Sequence, residues 1–207
     1  MKKTLLIFIL IFTLYGCENN KKTLPINLEI NKDYQENVIH KNEIKINIPI
    51  GWKVLSEENK KSVLKVLSSN SQYIGNVQYW LTLSNKGKNS YPNISVNIIK
   101  SPDLTRLGIN EFTNRFINTL DSFLPIYLDG VRSVITNYSE LGNYIDKKNK
   151  TSYIINEADV ANVGKIKTIV AIVFKKNYII SIGMNSFPKN FDRFKSSFQI
   201  MVNSIRI

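Results

Sequence analysis

The stretch KIKTIVAIVF, residues 165–174, constrains the fold more than any other part of the chain. A strand with one face in water alternates apolar and polar residues, but Ile169 to Phe174 is apolar at every position. A strand that is apolar on both faces must be covered on both, so it belongs in the middle of a sheet with layers on either side. Lys175-Lys176-Asn177 then leads directly into YIISIGM, residues 178–184. So short a connection joins neighbouring antiparallel strands and cannot make a parallel crossover. The expected core is an antiparallel sheet packed on both faces.

One of the covering layers is visible at the C-terminus. Pro188 marks the first turn of a helix, with Asn185 or Ser186 ahead of it. Phe191, Phe194, Phe198, Met201, Val202 and Ile205 then recur at helical spacing, while Lys189, Asp192, Arg193, Lys195 and Gln199 fall outside the stripe. Burying each large side chain contributes about 1.5 to 3 kcal/mol, so this amphipathic helix has to dock on the sheet.

Upstream, IKINIP alternates Ile44, Ile46 and Ile48, and Pro49-Ile50-Gly51 turns the chain into WKVL. Ser56 caps a helix that runs to about Ser69, with Glu57 and Glu58 in its first turn and Val63, Leu64 and Leu67 inward. Residues 77–83 and 93–99 read as a hairpin. A second helix opens at Asp103 or Thr105 with Ile109, Phe112, Phe116, Ile117 and Leu120 on one stripe. Strands follow over 131–138, 142–146, 152–160, 166–174 and 178–184. The fold class is α+β, one domain over residues 43–207.

This order of elements, with INIPIGWKV at 46–54 and FDRFKSSFQIMVNSIRI at 191–207, resembles the PsbP-like fold, particularly the small exported bacterial proteins related to DcrB. The resemblance implies an antiparallel β-sheet sandwiched by helices. It carries no catalytic residues to transfer, and implies a protein that binds or assists other proteins.

The N-terminus indicates where such a domain works. Lys2 and Lys3 precede eleven residues, Thr4 to Leu14, of which nine are Leu, Ile or Phe. That matches the apolar core of a secretory signal and is too short to span a bilayer. Leu14-Tyr15-Gly16-Cys17 resembles the lipobox of bacterial lipoproteins, with Tyr15 the one departure from its pattern. The resemblance implies cleavage between Gly16 and Cys17 and acylation of Cys17, so that residues 1–16 are a signal peptide. Cys17 is the only cysteine, so no internal disulfide can form. Residues 17–42, rich in Asn, Lys and Glu, read as a lipidated polar tether; INLEI at 26–30 could add a short edge strand. Loss of Lys2 and Lys3 lowers the formal charge from +12 to +10. Glu18 lacks the aspartate that retains lipoproteins at the inner membrane, which favours the outer membrane, periplasmic face.

The inventory for chemistry is thin. The single histidine, His40, falls in or beside the tether, and no His/Cys transition-metal site can be assembled. Neither a metal nor a cofactor is expected, since phosphate-loop and dinucleotide fingerprints are missing. Ser62-x-x-Lys65 places a serine and a lysine one helical turn apart, a spacing for a nucleophile and its base, without the motifs that accompany it in penicillin-binding enzymes. Glu157 and Asp159 share one face of a strand and could bind a hard cation or exchange protons; alternatively they offset nearby lysines. Lys147, Lys148, Lys150, Lys165, Lys167, Lys175 and Lys176 cluster at predicted turns and would form a basic rim if sheet order gathers them. Trp52, Trp80, Tyr79 and Tyr91 read as packing residues rather than a ligand platform.

Export removes nucleic acid as the partner of this positive charge and leaves anionic lipid, envelope polymers or an acidic protein surface. The leading expectation is a non-enzymatic, membrane-anchored module with a protein partner in the cell envelope, an immunity protein against a periplasmic toxin being one concrete form. The alternatives are an envelope hydrolase using Ser62/Lys65 or Glu157/Asp159, and a small-ligand or cation carrier.

Overall fold

A computed structural model describes residues 34–41, 43–68, 77–87, 90–106, 108–111 and 135–207. Its elements are β1 (Tyr34–His40), β2 (Ile44–Pro49), β3 (Trp52–Val54), α1 (Glu57–Ser68), β4 (Tyr79–Leu83), β5 (Asn93–Lys100), α2 (Pro102–Arg106), β6 (Ile135–Asp146), β7 (Thr151–Val160), β8 (Gly164–Lys175), β9 (Tyr178–Ser186) and α3 (Pro188–Asn203). Seven strands form one antiparallel sheet in the order β3-β4-β5-β9-β8-β7-β6, and β1 and β2 form a separate two-stranded sheet.

The central position of KIKTIVAIVF is as expected. β8 lies between β7 and β9, and Ile169 to Phe174 are all buried. Lys175 pairs with Tyr178, so Lys176 and Asn177 alone form the turn, with Lys176 in the left-handed region at φ 48°. On one face Leu81, Ile94, Met184 and Ile169 stand side by side across four strands. Helix α3 lies over this face, packed between β8 and β9 on one side and β2 on the other. Phe191, Phe198, Met201, Val202 and Ile205 are buried there with Ile44, Ile46 and Ile48 of β2. The stripe differs from expectation in two places: Gln199 is buried, and Phe194 is only half-buried.

The tail after α3 closes this layer. Lys45 and Arg206 exchange two backbone hydrogen bonds of 2.9 Å, which adds the C-terminus to the free side of β2. Ser204 accepts from the Asn47 backbone N–H at 2.9 Å and donates to the Met201 carbonyl at 2.7 Å. On the opposite face of the sheet, α1 packs through Val63 against Trp80, Leu55 and Val77. Ser56 Oγ accepts the Asn59 N–H at 3.3 Å, the expected cap. Helices therefore cover both faces of the antiparallel sheet, an α+β architecture.

Three expectations change. Tyr34–His40, assigned to the tether, is a strand paired with β2, so the domain starts before residue 43; its own pattern is irregular, and the regular β2 recruits it. Of the strands expected at 131–138 and 142–146, residues 131–134 lie outside the described ones and the rest is one strand, β6, whose register slips at Thr136/Ser139 and at Glu140/Gly142. Such bulges break the alternation that a sequence reading follows; Asn137 takes a left-handed φ of 48° at the first. The helix expected from Asp103 or Thr105 is interrupted: α2 ends at Arg106, Gly108 takes a non-helical φ of 77°, and helical residues resume at 109–111, while Phe112, Phe116, Ile117 and Leu120 lie outside the described residues. So do Cys17, Gly16, the signal segment, INLEI, and the side chains of Leu64 and Leu67.

Candidate functional site

The seven lysines of the anticipated rim occupy two places. Lys147, Lys148 and Lys150 form the β6–β7 turn, and because Thr151 pairs with Val173 this turn lies beside Lys175 and Lys176 of the β8–β9 turn. The Lys150 carbonyl accepts the Phe174 N–H at 3.0 Å, tying the two turns together. Asp146 holds the first turn in shape by accepting from the Asn149 N–H at 3.0 Å and its Nδ2 at 2.6 Å. Lys165 and Lys167 stand at the other end of β8, ten residues away and roughly 33 Å along the strand. The single rim is thus corrected to a five-lysine end and a separate pair.

At the five-lysine end the two sheets are joined by charge. Tyr178 donates its hydroxyl to Glu43 Oε2, and Lys100 Nζ lies 3.7 Å from the same oxygen and 5.4 Å from the Tyr178 ring centre. The hydroxyl's hydrogen bond, with Lys100 nearby, holds the Glu43 carboxyl below its ordinary value, and the same bond raises Tyr178.

The acidic pair is engaged. Glu157 lies opposite Lys167 and Asp159 opposite Lys165 in the β7–β8 ladder. Lys165 Nζ reaches Glu157 Oε1 at 3.1 Å, which raises the lysine's pKa, and Asp159 accepts from Asn137 Nδ2 at 2.8 Å. Both carboxylates offset cations, as the alternative reading of the pair expects. Lys167 also lies 4.6 Å from the Phe191 ring centre. Ser62 is half-buried on α1, and the side chain of Lys65 lies outside the described residues, as does that of His40, which ends β1. Among the described residues no three His, Cys, Asp or Glu side chains gather where a metal could be held, and no helix is long and apolar enough to cross a membrane.

Trp52 and Trp80 are both buried, on opposite faces of the sheet. Trp52, however, is also the floor of a groove of about 820 Å³ between the start of β3, the β4–β5 connection and the first turns of α3. Trp52 meets Phe194 edge-on at 6.0 Å, and Tyr91 lies 5.3 Å from Phe187. Burial raises the Tyr91 hydroxyl above its usual range. Gly51 turns the wall with φ 83°, and its carbonyl accepts the Ser84 N–H at 2.7 Å. Lys86, Lys189 and Arg193 rim the groove, with Arg193 5.5 Å from the Phe194 ring centre. Among the described residues no carboxylate lines it. Chemically this is an aromatic floor with three exposed cations, suited to an anionic group attached to an apolar body.

Sequence reasoning missed this groove. Lys86 and Arg193 are more than a hundred residues apart, and Lys189 and Arg193 read correctly as the outer face of a helix. No local pattern marked it: Phe194 shares the helical stripe of Phe191 and Phe198 and differs from them only in the fold, where it is half-buried.

A second unanticipated feature is a polar row under α1's side of the sheet. Thr82, Asn93, Asn185, Thr168 and Asn156 are neighbours across five strands, and all are buried. Thr168 Oγ1 donates to Asn185 Oδ1 at 2.8 Å, and Asn185 Nδ2 donates to Asn93 Oδ1 at 2.9 Å. These two bonds link β8, β9 and β5 from within the core.

No protein-family model and no curated protein matches the chain in sequence. Among solved structures it is similar to the cyanobacterial PsbP (CyanoP) of Synechocystis sp. PCC 6803, with a TM-score of 0.52 at 13% identity, over 89% of this chain and 98% of that one. LpqN, involved in cell envelope biogenesis of Mycobacterium tuberculosis, aligns with a TM-score of 0.42 at 11% identity over 82% of this chain and 88% of that one, too loosely to carry an argument. The first likeness establishes the fold: the chain has the PsbP-like α+β architecture that its element order resembles.

Proposed function

We propose that this protein is an exported lipoprotein, anchored by acylation of Cys17 at the periplasmic face of the outer membrane, and that it works as a non-enzymatic interaction module. Its five-lysine end binds an acidic surface of a protein partner in the envelope. The observation that carries the reading is the placement of Lys147, Lys148, Lys150, Lys175 and Lys176 on two tied turns at one end of the sheet. Four of these residues, Lys147, Lys148, Lys150 and Lys176, lie on the turns themselves and are exposed, while Lys175 ends β8 and is half-buried. The lipobox-like LYGC, with the short apolar run before it, supports export and anchoring.

A photo-crosslinking residue at Asn177, exposed on the β8–β9 turn, used in the native envelope, tests the module. The expected result is one dominant protein adduct, weakened several-fold when Lys147, Lys148 and Lys176 are changed to Glu. Capture that ignores this charge reversal would sink the assignment of the lysine end. Mass measurement of the mature N-terminus tests the anchor: Cys17→Ser should abolish both processing and the acylated mass. A captured envelope-degrading toxin would make the module an immunity protein.

A further inference from the structure

The groove and the tether meet at the same end of the domain. β1 begins at Tyr34, which pairs with Pro49, and the next residues, Ile50 to Trp52, form the groove's wall. Only sixteen residues separate Cys17 from Tyr34, a length that spans at most roughly 60 Å when fully drawn out. With Cys17 in a bilayer, the chain enters the domain at its groove end, and the five-lysine end is the far one.

That end is also built unlike the far one. Lys86, Lys189 and Arg193 are exposed on the rim, with no carboxylate among the described lining residues. Beside them Ile50 is 60% exposed at the tip of its turn, the most exposed large apolar residue among the described ones. An apolar tip ringed by cations over an aromatic floor is the composition of a surface that settles at an anionic membrane interface. A soluble anion or an acidic peptide would use the same three cations, but would give no role to Ile50 or to the tether's point of entry.

We propose that the groove docks the domain onto anionic phospholipid headgroups of the membrane that anchors it, with Lys86, Lys189 and Arg193 holding phosphates and Ile50 entering the interface. This rests on the anchoring read from Cys17. Docking turns the five-lysine end away from the bilayer, towards the periplasmic partner.

The test uses the lipidated chain carrying Ile50→Cys. Acylation of Cys17 leaves residue 50 as the only free thiol, and a nitroxide is attached there. The protein is reconstituted in vesicles of phosphatidylcholine, alone or with an equal part of phosphatidylglycerol. On the anionic vesicles the label should be shielded from a water-soluble nickel chelate and reached by oxygen, and on phosphatidylcholine it should stay in water. A label at Lys148→Cys should stay in water on both. Near an anionic surface each cation is worth about five-fold, so Lys189→Gln with Arg193→Gln should lower the docked-to-undocked ratio by about 25-fold. Both side chains are exposed, so the pair leaves the fold intact.

A label at residue 50 that stays in water on anionic vesicles, or is equally shielded on phosphatidylcholine, overturns the proposal. So does thermal stabilisation by glycerophosphoglycerol or inorganic phosphate alone with the label still in water, which would make the groove a site for a soluble anion. The mass of the N-terminus, measured first, separates the two readings. An unacylated Cys17 ends the anchoring reading and this one with it, whereas an acylated chain with a water-exposed residue 50 ends only this one.

Discussion

Replacing Phe198 by alanine tests whether α3 holds the two sheets together. Phe198 is 0% exposed, in a cluster with Phe191, Met201 and the isoleucines of β2. The neighbours cannot collapse freely into the space, because β8 and β9 bound it on one side and β2 on the other. Removal of a fully buried phenylalanine under such conditions costs about 3–5 kcal/mol, lost transfer energy plus the cavity left behind. Against a total stability of about 5–15 kcal/mol for a domain of this kind, that is a large fraction. With a slope of about 2 kcal/mol per molar urea, the unfolding midpoint should fall by about 1.5–2.5 M at unchanged slope. Circular dichroism and tryptophan fluorescence during urea titration measure it. Phe194→Ala is the internal comparison: Phe194 is half-buried and keeps one edge contact with Trp52, so its loss should cost about 1–2 kcal/mol. A midpoint shift below about 0.5 M for Phe198→Ala, or equal shifts for the two, would refute the packing argument.

Two further expectations concern polar groups. Asn185→Ala should cost about 2–4 kcal/mol by urea titration, because it strands the Thr168 hydroxyl and the Asn93 carbonyl oxygen inside the core. Combining it with Thr168→Val should cost less than the sum of the two single changes, since the second substitution removes one of the stranded groups. For Glu43, the folded-state pKa lies below the ordinary value of 4.5, so its contribution is complete above that value and is lost as pH falls through the lowered one. Wild type should therefore melt above Glu43→Gln at neutral pH, and the difference in Tm should shrink below about pH 4.5; a pH-independent difference would contradict the linkage.

How much of this was legible in the sequence varies by element, for physical reasons. β8, β9 and α3 could be read because their patterns are unambiguous: apolar on both faces, a two-residue turn, and a 3.6-residue stripe. NISVNII misleads, because Asn93, Ser95 and Asn97 alternate with apolar residues as if they faced water, yet all three are buried. Alternation reports chemical difference between two faces, and both faces of this sheet are covered. Gln199 is misplaced for a related reason, since polarity was taken as exposure. The single rim of lysines could have been rejected from sequence alone: Lys165 and Lys175 stand at opposite ends of one strand, which no sheet order can bring together. The groove could not have been found that way. Its cations come from a connection and a helix that only the folded chain makes adjacent, and no motif joins the three.

The two basic ends also explain why charge alone could not orient the domain. Either end could settle on an anionic bilayer by electrostatic attraction. The groove end differs by Ile50 and by being the end at which β1 begins, and the far end differs by having its lysines on turns with no exposed apolar residue among them. Glu43, bonded to Tyr178, pins the β1–β2 hairpin to the far end, so the hairpin runs along the sheet from one end to the other. Tilting the groove towards the membrane therefore lifts the five lysines by roughly 33 Å, the length of β8. At physiological ionic strength the bilayer's field decays over about 8 Å. In the proposed docked state headgroups could not compete for those lysines, which would leave them to the acidic partner proposed above.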